Sequence, residues 1–115
     1  MSTPIDRAYV VTLSPECQCS PLWSSDRENL APESLALHAE TVRALWHWAA
    51  DFDRWYRLEE PSSPGPEPST AEVAAFEAEG VRLWKQLRAE LAPDTHVHYR
   101  STATGRVLTD PAELS

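Results

Sequence analysis

The sequence is short of glycine, and its three glycines, Gly65, Gly80 and Gly105, lie far apart. A phosphate-binding loop needs several glycines close together, so this spacing argues against nucleotide or dinucleotide chemistry. No apolar run approaches the ~18 residues that a membrane-spanning helix requires. The N-terminal residues also lack the basic start and long apolar centre of a signal peptide, so we expect a cytoplasmic protein with no membrane partner.

Cysteine is also scarce, with Cys17 and Cys19 the two in the chain. Cysteines separated by one residue are too close for an ordinary structural disulfide, and reduced thiols fit a cytoplasmic protein. Together with His96 and His98 they supply the ligand types of a structural zinc site. Because Cys-x-Cys is an uncommon zinc spacing, we expect no metal or other cofactor, and a zinc-stabilised protein remains the alternative.

Positive charge is in short supply, since 10 lysines and arginines accompany 18 aspartates and glutamates, for a formal net charge of −8. Free nucleic acid is therefore not an expected partner, because phosphate binding requires a basic patch. Long-range attraction instead favours the basic surface of another protein. Solubility alone would also account for such a charge.

Tryptophan is in surplus, with five in a chain of 115 residues that has room for one domain. Three of them lie in residues 35–58, where apolar side chains recur with the period of a helix. The start of this helix is open, because Pro32 could occupy its first turn or the helix could begin at His38. The predicted apolar face consists of Val42, Leu45, Trp46, Ala49, Phe52 and Tyr56.

A second helix is predicted over residues 70–91, after a proline-rich connector at residues 61–68 that no helix can cross. Ser69 and Glu72 have the spacing of a capping box at its start. Gly80 falls in the middle of its apolar stripe, which predicts close approach of a bulky side chain. The candidates for that side chain are Trp46 and Phe52.

Strands are predicted from short runs of β-branched and aromatic residues. The predicted strands are residues 9–13, residues 96–100, and a short one around Leu22 and Trp23, with both of these side chains packed inward. We expect a polar loop at residues 24–33 and a loose tail at residues 111–115. The predicted fold is α+β, with an antiparallel helical hairpin packed on one face of a small antiparallel or mixed sheet.

The end of the first helix is the candidate binding surface, because it combines acidic and aromatic side chains. Aromatic residues ringed by charge are typical of interface hot spots. His47 and Asp51 are four residues apart on the helix and could hydrogen-bond to form a general base. No matching nucleophile accompanies them, so we do not expect an enzyme. The predicted contact residues are Trp48, Asp51, Asp53, Trp55, Glu59 and Glu60.

Three segments of the chain resemble a group of small uncharacterised proteins from GC-rich soil bacteria of the actinobacterial type. The segments are CSPLW at residues 19–23, W-x-W-A-x-x-F-D-x-W at residues 46–55, and FEAEGVRLWKQLRAEL at residues 76–91. None of these motifs is catalytic. The resemblance implies a regular helix after the connector and no site residues.

These features together predict a small acidic protein-binding module with a basic protein as its partner. An immunity or antitoxin-type protein that masks such a partner is the concrete form of this hypothesis. The alternatives are the zinc-stabilised protein and an accessory or structural protein. The surplus of aromatic residues also allows a homodimer.

Overall fold

The structure is a computed structural model that describes residues 9–16, 19–55, 69–102 and 104–114. The strands in this part of the chain are β1 (Tyr9–Leu13), β2 (Leu22–Ser24), β3 (Asn29–Leu30), β4 (Thr95–Arg100) and β5 (Val107–Leu108). The helices are α1 (Ala39–Trp55) and α2 (Thr70–Glu90), with short 3-10 helices at Pro32–Ser34 and Pro111–Leu114. None of the helices in the described ranges is long and apolar enough to cross a membrane.

The strands form one sheet in the order β3-β2-β1-β4-β5. β1 and β4 are parallel and the other neighbours are antiparallel, so the sheet is mixed. Across the parallel pair, Val11 lies opposite Val97 and Leu13 lies opposite Tyr99. Because successive side chains of a strand point to opposite sides, these four share one side of the sheet, and all four are buried.

Both helices pack on that buried side of the sheet and run antiparallel to each other. At the start of α1, the His38 N–H donates a hydrogen bond of 2.7 Å to Glu90 Oε1 at the end of α2. Further along, the Trp48 ring of α1 stacks on Phe76 near the start of α2, with ring centroids 4.5 Å apart. The predicted α+β fold, a helical hairpin on one face of a small mixed sheet, is therefore confirmed.

Gly80 lets α2 approach both α1 and the sheet. A Cβ atom placed on Gly80 would lie 2.5 Å from the Tyr99 hydroxyl oxygen and 2.7 Å from Trp48 Cζ2. The prediction that this glycine permits close approach of a bulky side chain is confirmed. The neighbours are Trp48 and Tyr99, however, and the candidates Trp46 and Phe52 were wrong.

The buried face of α1 differs from the predicted one. Of the two starts that the sequence left open, the later one agrees with the structure: α1 begins at Ala39, directly after His38, because Leu35 is extended after a short 3-10 helix. Trp46 was expected in the core but is 40% exposed, and its indole N–H donates to Glu33 at 2.7 Å. Trp48 takes its place and is 2% exposed. Among the first sixteen residues of α1, the buried positions are Thr41, Leu45, Trp48 and Ala49.

The two helices are capped in different ways. The predicted capping box of α2 is confirmed, since Ser69 and Glu72 each accept from the other's backbone N–H. At α1 the cap is Glu90 of α2, whose side chain is 3% exposed. Burial acts to raise the pKa of Glu90, but hydrogen bonds from the Thr41 hydroxyl, the His38 N–H and a further side chain outweigh it and lower the pKa. The charged carboxylate thus meets the positive end of the α1 dipole.

Residues 24–33, expected to be a loop, contain the edge strand β3. The Asn29 side chain holds this strand in place. Its Nδ2 donates to the carbonyl oxygens of Ser20 and Leu22 at 2.8 and 3.1 Å, and its Oδ1 accepts from the Ser20 N–H at 3.1 Å. The side chain of Asn29 thus adds backbone contacts that a strand of two residues cannot make by itself. Strand propensity does not predict such side-chain hydrogen bonds.

The tail was expected to be loose at residues 111–115, but Pro111–Leu114 form a 3-10 helix. An ion pair precedes it, with Arg88 Nη1 of α2 3.5 Å from Asp110 Oδ1. The predicted proline-rich connector at residues 61–68 lies outside the described residues.

Candidate functional site

The side of the sheet that faces away from the helices carries a second set of side chains. Thr12 lies opposite both Trp23 and His98, and Arg100 lies opposite Val107. These positions alternate with the buried ones, so their side chains point away from the helices. We call this surface the open sheet face, and it comprises Val10, Thr12, Trp23, His96, His98, Arg100 and Val107.

Trp23 of β2 lies on the open sheet face beside Thr12 of the central strand β1. It was expected to pack inward together with Leu22, but adjacent residues of a strand point to opposite sides, and Leu22 is the buried one. Trp23 is half-buried, and its indole N–H donates to the Ser14 carbonyl at 3.0 Å. This bond fixes the ring on the sheet surface while part of it remains accessible.

A shallow groove of about 470 Å³ runs beside Trp23. Arg27 and Arg100 line it together with Val107, which is 52% exposed. Glu16 is the carboxylate in its lining. None of the five described strands contains an aspartate or glutamate. The open sheet face is therefore cationic to neutral, although the whole chain is strongly acidic.

Arg27 is held on the rim of this groove by the turn between β2 and β3. Its φ is 66°, in the left-handed region that favours glycine. The Arg27 N–H donates to the Ser24 carbonyl at 3.0 Å, and the Ser24 hydroxyl accepts from the N–H groups of Asp26 and Glu28 at 3.2 and 3.1 Å. These bonds stabilise the turn and set the direction in which the Arg27 side chain leaves it.

Glu77 of α2 fixes the chain just after Arg100. It accepts hydrogen bonds from the Tyr99 hydroxyl at 2.9 Å, the Ser101 hydroxyl at 2.7 Å and the Thr102 N–H at 3.0 Å. Burial, followed by the charge of Glu77, raises the pKa of Tyr99 far above its usual value. The Tyr99 hydroxyl therefore remains a donor, and the end of β4 is tied to α2.

A second cavity, of about 230 Å³, connects the open sheet face to the end of α1. Glu16 and Arg100 line both this cavity and the groove. Phe52 of α1 lines it from the helical side. Asp51 and Asp53 are the neighbours of Phe52 in the chain, but Asp51 lines a separate cavity between α1 and α2, together with Glu72 and Glu79.

The contact residues predicted at the end of α1 fall into four groups. Asp51 is half-buried, and its carboxylate accepts from Arg54 at 2.7 Å; Asp53 is half-buried as well. Trp48 does not belong on an exposed surface, because it lies in the core and donates to the Phe76 carbonyl at 3.0 Å. Trp55 ends α1. Glu59 and Glu60 lie outside the described residues.

The four candidate zinc ligands are not assembled in the part of the chain that the structure describes. His96 and His98 share the outer side of β4, as their spacing predicts, and Cys19 lies in the β1–β2 connection. Cys17 is not among the described residues. No group of three or more His, Cys, Asp or Glu side chains suited to a metal occurs within those residues.

The sequence contained part of the signal for the open sheet face. The alternation of residues 96–100 already placed His96, His98 and Arg100 on one side of a strand. The roles of Trp23 and Arg27 were missed, because they depend on strand pairing and on a turn that local periodicity does not reveal.

Residues 9–102 match the model of a family described as Serratia CdiI immunity protein-like. The matched range runs from β1 through both helices to the residues that follow β4. No curated protein matches the chain.

Proposed function

We propose, since the chain belongs to the Serratia CdiI immunity protein-like family, that it is an immunity protein that binds a partner toxin and blocks it. The observation that carries this proposal is the match over residues 9–102, which includes four of the strands and both helices. Its action is stoichiometric binding in the cytoplasm, without catalysis.

The toxin is proposed to be basic. A net charge of −8 attracts a basic protein over long distances and accelerates encounter at low salt. Asp51 and Asp53 are the described carboxylates that we assign to first contact, with Trp55, Glu59 and Glu60 following them in the chain. Such rim charges affect the association rate more than the final affinity.

The test is co-expression of the chain with the toxin domain encoded by the neighbouring gene. We expect cells that express both to grow and cells that express the toxin domain alone to stop growing. The purified proteins should form a complex in size-exclusion chromatography with light scattering, which also shows whether the chain dimerises by itself.

The charge proposal has a separate readout in the same complex. Raising the salt concentration should slow association, and Asp51→Lys with Asp53→Lys should slow it further at low salt. Arg43→Glu is the control for a charge change elsewhere on α1. Growth arrest that the chain does not relieve, together with no complex, would contradict the immunity function. A complex indifferent to salt would contradict the basic toxin alone.

A further inference from the structure

The open sheet face has the composition of a binding surface. Cores of protein interfaces are enriched in tryptophan and arginine and depleted of aspartate, glutamate and lysine. Here Trp23, Arg27 and Arg100 line one groove with Glu16 as its carboxylate, and the strands beneath contain no aspartate, glutamate or lysine. Val107 adds an exposed apolar side chain at the edge.

The charges of this groove are unsatisfied within the described part of the chain. Arg27 and Arg100 form no ion pair there, whereas Arg54, Arg82 and Arg88 each pair with a carboxylate. A guanidinium binds a carboxylate through two parallel hydrogen bonds, and this geometry is stronger and more specific than a point charge. The arginines of the groove are thus available to a carboxylate from outside.

The position of the groove connects it to the proposed contact at the end of α1. The cavity lined by Glu16, Phe52 and Arg100 extends from the groove to the last turn of α1, so a partner that covers the groove also reaches the end of that helix. The carboxylates that we assign to first contact, Asp51 and Asp53, belong to the same turn and suit the basic part of that partner. The groove, with its opposite charge, suits a different part of the same molecule.

We propose that the toxin-binding surface extends over the open sheet face, where a toxin segment places carboxylates against Arg27 and Arg100 at the two ends of the groove and an apolar side chain against Trp23. This inference rests on the proposed immunity function. The long-range attraction sets the rate of encounter, and the groove supplies the short-range contacts that keep the complex together.

The test uses the full chain and the same toxin domain, with affinity measured by calorimetry. Arg27→Glu combined with Arg100→Glu should weaken binding at least tenfold, because two donors become like charges for the incoming carboxylates. Arg43→Glu, an exposed arginine on α1, should bind like the wild type. Melting temperatures of all variants should stay close to the wild type, since these side chains are exposed.

A second measurement needs no substitution. Hydroxyl-radical footprinting of the wild-type chain reports the accessibility of each tryptophan with and without the toxin domain. Trp23 should be protected in the complex, whereas Trp46, exposed on α1, should not.

The outcomes separate the two proposals. A wild-type complex with unchanged affinity in the arginine variant, or with Trp23 unprotected, overturns the open sheet face as a contact and leaves the immunity function intact. Protection of Trp23 with a tenfold loss of affinity supports it. Absence of any complex with the toxin domain overturns both.

Discussion

Trp84 and Trp23 lie on opposite sides of the sheet, and both donate an indole hydrogen bond to a backbone carbonyl. Trp84, on the helix-covered side, is fully buried and donates to Val97 at 2.7 Å. Trp23, on the open sheet face, donates to Ser14 at 3.0 Å but keeps part of its ring accessible. The same kind of hydrogen bond thus holds a core residue on one side of the sheet and a partly accessible residue on the other.

The charged groups of the two sides differ in the same way. On the helical side, Arg54 pairs with Asp51, Arg82 with Glu79, and the buried Glu90 caps α1. The groove arginines have no such partners among the described residues. The comparison teaches that the helix-covered side stabilises the fold, whereas the open sheet face retains unused capacity for binding. Substitutions should therefore affect stability on the first side and affinity on the second.

The largest effect on stability is expected at Trp48. Replacing it by alanine removes the stack on Phe76 and leaves a cavity, which should lower the free energy of unfolding by about 3–5 kcal/mol. Trp46→Ala, at an exposed position of the same helix, should cost no more than about 1 kcal/mol. Denaturant unfolding followed by circular dichroism measures both. Equal losses would mean that the buried face of α1 is misassigned.

Gly80 should show the next largest effect. Alanine at a helix interior normally stabilises by about 1 kcal/mol over glycine. The added methyl group would overlap Trp48 and Tyr99, however, and overpacking costs about 1–3 kcal/mol. We therefore expect Gly80→Ala to lower the unfolding free energy.

The control for Gly80 is Ala78→Gly at an exposed position of α2, which should cost about 1 kcal/mol through helix propensity alone. If Gly80→Ala stabilised the protein by a similar amount, the close packing of α2 on the sheet would be refuted.

Glu90 should give a smaller, pH-dependent effect. Its folded-state pKa is lowered, so its stabilisation is fully present above the unfolded-state pKa of ~4.3 and disappears as pH falls through the folded-state pKa. Glu90→Gln should cost about 1–2 kcal/mol near neutral pH, where it removes a charged cap. Denaturant unfolding at several pH values should show this difference shrinking in acid.

The control for Glu90 is Glu40→Gln, an exposed glutamate in the first turn of α1. Its effect should be no more than a few tenths of a kcal/mol near neutral pH. A loss for Glu90→Gln that persisted unchanged in acid would show that packing, and not the carboxylate charge, holds the two helix ends together.

Local patterns predicted what depends on near neighbours in the chain. The capping box of Ser69 and Glu72, the helical period of α2 and the alternation of β4 each involve residues a few positions apart, and the structure contains all three. The packing of both helices on one side of the sheet was also predicted, because the apolar faces of two amphipathic helices must be buried against another element.

Long-range contacts account for what the sequence did not reveal. Trp46 and Trp48 are both helical aromatics, and the choice between them depends on Tyr99 and Phe76, which lie far along the chain. Similarly, Glu90 caps α1 from a distance of 52 residues in sequence. The groove required the pairing of β1 with both β2 and β4, which no local signal specifies.

The smallest effect is expected at Arg27, where replacement by glycine should stabilise the protein and not destabilise it. Its φ of 66° costs a residue with a Cβ about 1 kcal/mol, and glycine adopts this conformation freely. Arg27→Gly should therefore raise the unfolding free energy by up to about 1 kcal/mol while weakening toxin binding.

Arg27→Asn, which tolerates the same backbone but also lacks the guanidinium, is the matched control. Both variants should lose affinity, because the proposed contact is made by the guanidinium and not by the backbone of the turn. Greater stability with unchanged affinity would remove Arg27 from the contact surface, and the open sheet face would then rest on Arg100 and Trp23.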